Sequence, residues 1–248
     1  RDLADRSFEV RSFEDLRKGL ADRFVILDPR ERTARIEAQL AAAGGDAKGE
    51  AAHLVAEWVD LVEYPTVAIG TVPREFADLP EVVLETVLAH HQKAVMLPRA
   101  ADGSPRFGAI TGGDGAAARN AAQGQERVVV ARLKDARFFY DEDRRRPLAA
   151  RVDDLGAVTF HKGLGTYKDK AERLEKLTAQ LASLAGVEGD VPAQAVRAAR
   201  LSKADLVTLM VREFPELQGV MGGLYAEASE NAAVAEGIRW HYHPVAME

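Results

Sequence analysis

The sequence changes its periodicity near Ala116, and this change limits the folds open to the chain more than any other feature. Before it, short apolar runs such as 66–72 alternate with amphipathic segments, which predicts strands mixed with helices. After it, apolar residues recur at three- and four-residue spacings almost continuously, which predicts helices. We therefore predict an α+β fold, with an N-terminal mixed α/β region followed by an all-α helical region.

Proline, glycine and capping residues give the bounds of the predicted elements. Asp28-Pro29 is typical of a helix start, and Gly44-Gly45 is typical of a helix end. The strands predicted in the first region lie at 8–10, 24–27, 66–72, 93–97 and 107–111, and the helices at 13–21, 29–43, 50–62 and 80–92. The helices predicted after it lie at 116–123, 125–140, 147–155, 166–185, 192–212, 215–227 and 231–242.

Composition excludes several classes of protein. The chain has no cysteine, so it has neither disulfides nor thiolate metal sites. No apolar run approaches the roughly 20 residues that a membrane span needs, and the charged first residues are unlike a signal peptide. With a net charge of −6, the chain as a whole is not an obvious nucleic-acid binder. We expect a cytoplasmic protein with no membrane and no DNA partner.

The charge is distributed unevenly along the chain. Residues 119–151 contain nine basic and five acidic residues, which makes this segment +4 and the rest of the chain −10. A local basic stripe on an acidic protein can hold a polyanion such as RNA. The alternative is a solvated helix with mixed ion pairs, and charge alone favours that alternative.

Four motifs in the second half resemble those of one known family. They read QERVVVARLKDARFFY at 125–140, FHKGLGTYKDK at 160–170, LSKADLVT at 201–208 and EFPELQGVMG at 213–222. In this order they are similar to the bacterial-type glycyl-tRNA synthetase β subunit. The resemblance covers nearly the whole chain, which is much shorter than a complete β subunit, so an excised fragment is expected.

The resemblance implies a function and a set of partners. It implies the β subunit of the heterotetrameric enzyme, a glycine-tRNA ligase, which supports tRNA-Gly binding and places the acceptor end for glycylation by the α subunit. ATP and Mg are expected on that α subunit, and the fragment alone is expected to be non-catalytic. The implied domains are 1–115, mixed α+β; 116–160, connecting basic helices; and 161–248, a helical HD-like domain that is incomplete at its C-terminus.

Helical spacing places three cations of the first motif, Arg127, Lys134 and Arg137, within an arc of about 80°. The aromatic run at 138–140 borders them, and we expect at least one of its rings to be buried. Such rings either stack on exposed bases or anchor the helix, and the sequence leaves both open. The candidate RNA-binding residues are Gln92, Lys93, Arg127, Arg132, Lys134, Arg137 and Lys168.

The glycine-rich stretch at 163–166 has two interpretations. Backbone amides at the following helix start could hold an RNA phosphate beside Lys168. Alternatively, Thr166 caps the helix and Asp169 bonds back to it, forming a capping box, and this second interpretation is favoured.

The resemblance also implies an HD-type domain, whose metal site needs a histidine and a His-Asp dyad. Lys203-Ala204 stands at the dyad position, and Thr166-Tyr167 stands where the first histidine is expected. We therefore predict no metal site and no catalytic residue, and we interpret the six histidines as surface or cap residues. Two alternatives stay open: a metal phosphohydrolase remnant with residual activity, and a structural spacer without RNA contact.

Overall fold

A computed structural model describes residues 7–49, 51–113 and 115–244. The chain is α+β, as the sequence predicts, with small sheets and many helices. It divides into two compact units, Arg1–Lys134 and Asp135–Glu248. The boundary between the units falls inside the long helix α5, Gly115–Arg144.

The first unit contains a three-stranded antiparallel sheet and the helices around it. Its strands are β1, Pro65–Thr71; β2, Val95–Leu97; and β3, Arg106–Gly112. Their order is β1-β3-β2, with Pro65 opposite Gly112 and Val95 opposite Gly108. Its helices before α5 are α1, Phe13–Ala21; α2, Pro29–Ala42; α3, Ala51–Leu61; and α4, Glu81–Glu85, with a 3-10 turn at Arg74–Phe76.

The core of the first unit lies between the sheet and helices α2 and α3. Ile36, Leu40 and Trp58 are fully buried there and belong to one apolar cluster with Val67. The indole Nε1 of Trp58 donates to the backbone oxygen of Lys93 at 2.9 Å, which satisfies the buried ring nitrogen. Burial of a large aromatic side chain such as Trp58 is a main source of stability in a unit of this size.

Two predictions for the first unit are wrong. Residues 8–10 and 24–27 form no strand. Ile26 makes a single backbone bond to Glu63, and Phe24 has φ +60°. The helix predicted at 80–92 is confirmed, and its second half is a π-helical segment, Thr86–His91. The other predicted helices and strands of this unit are confirmed within one or two residues.

The second unit is helical apart from one short hairpin. Its strands are β4, Thr159–His161, and β5, Gly165–Thr166, which pair antiparallel. Its helices after α5 are α6, Tyr167–Leu184; α7, Val191–Leu201; α8, Leu209–Glu213; α9, Val220–Ala226; and α10, Ala232–Trp240. Its 3-10 segments are Leu148–Arg151, Asp153–Ala157, Ala204–Val207 and Pro215–Leu217.

Four predictions for the later chain need correction. Helix α5 passes through Gly124 without a break, and the hairpin at 159–166 was not predicted. The segment 147–155 is 3-10 helix, and the helix predicted at 192–212 is three pieces. The helix predicted at 192–212 is interrupted because the backbone of Thr208 is extended. Its hydroxyl caps a new helix by accepting from the amide of Val211. The helix predicted at 215–227 is divided at Gly219, whose φ of +83° is left-handed.

Candidate functional site

The first half of α5 is fixed to the sheet of the first unit along one face. Ala118 and Ala122 form a small-residue contact with Ala68 of β1. The carboxylate of Glu126 accepts a 2.8 Å hydrogen bond from the backbone amide of Thr71, at the end of the same strand. The acid of the first motif therefore has a structural role, and it determines which face of the helix turns away from the sheet.

Arg127 and Lys134 lie on the outward face and are exposed. Within the described residues neither forms an ion pair. Seven positions along an α-helix correspond to a rise of about 10.5 Å, so the two cations project from the same side two turns apart. Arg132 and Arg137 are half-buried and already interact with neighbouring groups.

The second half of the basic segment is occupied by ion pairs inside the second unit. Arg145 lies 2.8 Å from Glu142, and Arg146 pairs with Asp154. The guanidinium of Arg151 is almost buried and lies 3.4 Å from the carboxylate of Asp143. Ion pairing therefore describes the arginines at 145, 146 and 151, although the Arg151–Asp143 pair is buried and not solvated. The interpretation of Arg127 and Lys134 as a polyanion site stays a prediction.

The aromatic run after these cations does not behave as predicted, because none of its rings is fully buried. Phe138 is 57% exposed, and Phe139 lies against it with ring centroids 5.8 Å apart. Tyr140 stacks on Tyr225 of the same unit at 5.9 Å. Anchoring is thus the role of Tyr140, while Phe138 presents a ring to solvent.

Gln92 and Lys93 lie in the first unit after the π-helical segment. Gln92 is half-buried at the end of that segment. Lys93 is exposed, its Nζ lies 3.3 Å from the carboxylate of Glu57, and its φ is +51°. Because its carbonyl also accepts from Trp58, the backbone of Lys93 is part of the structural core.

Lys168 lies at the start of α6 in the second unit, on a different element from the other candidates. Its Nζ is 2.8 Å from the carboxylate of Asp153. The bond raises the pKa of Lys168 and lowers the pKa of Asp153. The structure therefore gives Lys168 a partner within the chain.

The capping box at the start of α6 is confirmed. The hydroxyl of Thr166 accepts from the amide of Asp169 at 3.2 Å, and the Asp169 carboxylate accepts from the amide of Thr166 at 2.6 Å. These bonds lower the pKa of Asp169. A carboxylate of the chain already occupies the position where an RNA phosphate would have to bind, which removes the main support for the anion-loop interpretation.

A buried lysine stands at the dyad position of the second unit. Lys203 is 6% exposed, its Nζ is 2.7 Å from Nε2 of His241, and it sits 3.6 Å above the ring of Tyr242. Nδ1 of His241 lies 2.6 Å from the carbonyl of Ile238. Nδ1 therefore carries the proton and donates, and Nε2 accepts from Lys203. Burial lowers the pKa of His241 to about 4 and that of Lys203 to about 8.

Asp205, the acid after the dyad position, is fully buried and holds the turn before α9. Its Oδ2 accepts from the amides of Gly219 at 2.5 Å and Gly222 at 3.1 Å, while Oδ1 is buried without a hydrogen-bond partner among the described atoms. Burial raises the pKa of Asp205 to about 6 against the opposing effect of the two amides. In the described ranges no three His, Asp or Glu side chains come close enough to hold a metal ion.

Sequence reasoning did not find the pairing of Lys203 with His241, because the two residues are 38 positions apart. The six histidines were interpreted together as surface or cap residues, and His241 lies at the C-terminal cap of α10. The available signal was the lysine at the dyad position, because an ammonium that is buried needs a partner.

Comparison with known proteins places the chain in a family. The model of the family described as glycyl-tRNA synthetase beta subunit matches residues 1–248. The chain therefore belongs to the glycyl-tRNA synthetase beta subunit family.

The relatives reported for this chain share the name glycine–tRNA ligase beta subunit. The chain is 44% identical over 246 residues to the glycine–tRNA ligase beta subunit of Phenylobacterium zucineum, covering 96% of this chain and 36% of the relative. It is 42% identical over 232 residues to that of Picosynechococcus sp., covering 91% and 32%, and 39% identical over 246 residues to that of Streptococcus gordonii, covering 97% and 36%. The chain thus spans about a third of the length of the curated relatives it matches. Among the helices of the described residues, none is both long enough and apolar enough to cross a membrane.

Proposed function

We propose that this chain is the part of the glycyl-tRNA synthetase β subunit that supports binding of tRNA-Gly and placement of its acceptor end for glycylation by the α subunit. The observation that carries the proposal is the outward cation pair of α5, Arg127 and Lys134, in a chain whose relatives are tRNA ligase subunits. ATP and Mg would bind the α subunit, this chain would be non-catalytic alone, and the complex would act in the cytoplasm.

The geometry of the pair suits a phosphate backbone. Arg127 and Lys134 are separated by a rise of about 10.5 Å along one face of α5, which is far enough for each cation to contact a different phosphate of one strand. Phosphate contacts position a nucleic acid without reading its sequence. The pair would therefore position the acceptor-stem side of the tRNA, and glycine-specific bases would be read elsewhere.

The test is the affinity of tRNA-Gly for the full chain assembled with its α subunit. We expect the double variant Arg127→Ala/Lys134→Ala to bind tRNA about tenfold or more weakly, because each lost charge-assisted contact contributes on the order of 1 kcal/mol or more. The matched control is Lys18→Ala/Arg30→Ala, which removes two exposed cations from α1 and α2 of the same unit. The control should bind as the wild type does.

Equal affinities for the double variant and the control would refute the RNA-binding role of α5. They would favour the alternative that this chain is a structural spacer for other RNA-binding regions. A fall in affinity for both pairs would also count against the proposal, since it would show a diffuse effect of net charge.

The finer domain assignment is also a proposal. We propose that 161–248 is an HD-like domain without its metal site, after a mixed domain at 1–115 and connecting basic helices at 116–160. In support, Lys203 at the dyad position already uses its ammonium on His241, and Ala204 offers no ligand. The residues present therefore do not fit a catalytic metal. Calorimetry with Mn²⁺ should show no binding, and stoichiometric binding would revive the hydrolase alternative.

A further inference from the structure

The second unit contains a cavity of about 390 Å³ that the proposed function does not use. It opens between helices α6 and α7 and the end of α10. Small apolar residues, among them Ala195, Ala199 and Gly237, make up much of its wall. The size and the mostly apolar wall are those of a small-molecule site.

The polar groups that reach this cavity are mainly cationic or neutral. Lys170 and Lys203 both line it, and the only other ionisable residue in its lining is His241. His241 is neutral, since its Nδ1 proton goes to Ile238 and its Nε2 accepts from Lys203. The lining therefore contains two lysines and no carboxylate residue.

No counter-charge from within the described chain neutralises these lysines at the cavity. Asp205 attracts Lys203, but it is not in the lining, and its Oδ2 is held by the amides of Gly219 and Gly222. Lys170 interacts with the ring of Phe160 at 3.8 Å instead of with an acid. The charge of Lys170 adds to burial in lowering the pKa of Lys203. Two like charges that share a partly buried wall are stabilised by an anion placed between them.

We propose that this cavity binds a small organic dianion, a phosphate monoester with an apolar group of about one ring. The two negative charges match Lys170 and Lys203, and the hydroxyls of Thr178 and Ser202 in the same lining can donate to further phosphate oxygens. The apolar wall accommodates the ring. A volume of about 390 Å³ holds such a molecule and is at the lower end of the range for ligand sites.

The test is calorimetric titration of the full chain at pH 8 with phenyl phosphate, and separately with inorganic phosphate and with phenol. We expect phenyl phosphate to bind more tightly than either fragment, because it uses both the lysines and the apolar wall. The variant Lys203→Met should weaken phenyl phosphate binding about tenfold or more, since methionine keeps the length of the side chain and removes the charge. Lys176→Met, at an exposed position of the same helix as Lys170, should leave binding unchanged.

Proton uptake gives a second measurement. Lys203 is faced by Lys170, His241, Tyr242 and Asp205, and its pKa of about 8 leaves it roughly half protonated at pH 8. A bound anion raises that pKa, so binding should take up as much as about half a proton, which appears as a dependence of the measured heat on the ionisation enthalpy of the buffer.

The proposal is overturned if phenyl phosphate at millimolar concentration does not bind the wild type, or if Lys203→Met binds it equally well. If Lys203→Met does not fold, Lys170→Met replaces it, because Lys170 is half-buried and its removal disturbs the core less. Unchanged binding in that variant likewise overturns the proposal. Neither result bears on the tRNA affinity of α5, so the two proposals fail separately.

Discussion

At the scale of single residues, the chain keeps a lysine where its surroundings favour an uncharged side chain. Lys203 is tolerated because His241 accepts from its ammonium and Tyr242 places a ring beneath it. Both partners are polarisable or neutral, so neither removes the electrostatic cost of burying the charge. The lowered pKa of Lys203, about 8, expresses that cost.

The cost has a defined pH dependence. The pKa of Lys203 is about 8 in the folded chain and 10.5 in a model peptide, so between these values the unfolded chain binds more protons. Stability therefore rises with pH through this window, and below about pH 8 the penalty is fully present. The variant Lys203→Met lacks this contribution.

The free energy of unfolding of the wild type minus that of Lys203→Met should increase by about 1–2 kcal/mol between pH 7 and pH 9.5. Urea unfolding followed by circular dichroism at several pH values measures both proteins. Asp205 and His241 titrate below this window, at about 6 and about 4, and they are present in both proteins. If the difference in unfolding free energy between the two proteins stays constant from pH 7 to pH 9.5, the pKa of Lys203 is not lowered by burial.

At the scale of elements, one carboxylate joins several pieces of the second unit. Asp143, near the end of α5, accepts from the amides of Leu209 at 3.0 Å and Met210 at 2.9 Å. It also accepts from the hydroxyl of Tyr225 at 3.2 Å and lies 3.4 Å from Arg151. It thereby caps α8 from a position 66 residues earlier in the chain.

Asp143→Ala should therefore destabilise the second unit by about 3–5 kcal/mol, because it leaves Arg151 buried beside unpaired amides. Hydrogen exchange of the α8 and α9 amides should lose about a hundredfold or more of its protection. The matched control Asp143→Asn keeps an acceptor of the same shape and should lose less. Protection within a factor of three of the wild type in Asp143→Ala would contradict this role.

The same residue shows why some elements could be predicted from sequence and others could not. The caps of α1, α2 and α6 are local: Ser12 accepts from Asp15, Asp28 accepts from Arg30, and Thr166 and Asp169 form the capping box. Local patterns of this kind can be found in a sequence. Helix α8 begins where it does because a distant carboxylate and Thr208 hold its first amides, and no window of neighbouring residues contains that information.

The candidate site residues also divide into those that local sequence predicts and those that depend on tertiary contacts. Helical periodicity predicted that Arg127 and Lys134 share one face of α5. It did not predict that Arg137, on the same arc, is half-buried and interacts with a neighbouring group. The occupation of Lys168 by Asp153, and of the later arginines by nearby acids, depends on tertiary contacts. The wall of the cavity around Lys203 comes from three helices that are distant in the sequence. The sequence could therefore indicate only that a lysine replaces a histidine there.

At the scale of the whole molecule, an acidic chain carries a small outward cationic surface. The net charge is −6, and the basic segment alone is +4. Three arginines in the second half of this segment are paired with Glu142, Asp143 and Asp154, which leaves Arg127 and Lys134 as the exposed cations of the first motif. Such a distribution limits non-specific attraction and makes specific contacts depend on few residues.

The central claim is that Arg127 and Lys134 of α5 contact the tRNA backbone. The salt dependence of tRNA binding tests that claim most directly. Each phosphate contact contributes about 0.7–0.9 to the slope of log affinity against log salt concentration. For the full chain with its α subunit, we predict that Arg127→Ala/Lys134→Ala lowers the magnitude of the slope for tRNA-Gly by about 1.4–1.8, while Lys18→Ala/Arg30→Ala leaves it as in the wild type. A double variant whose slope equals that of the wild type would contradict the claim that α5 holds the tRNA backbone.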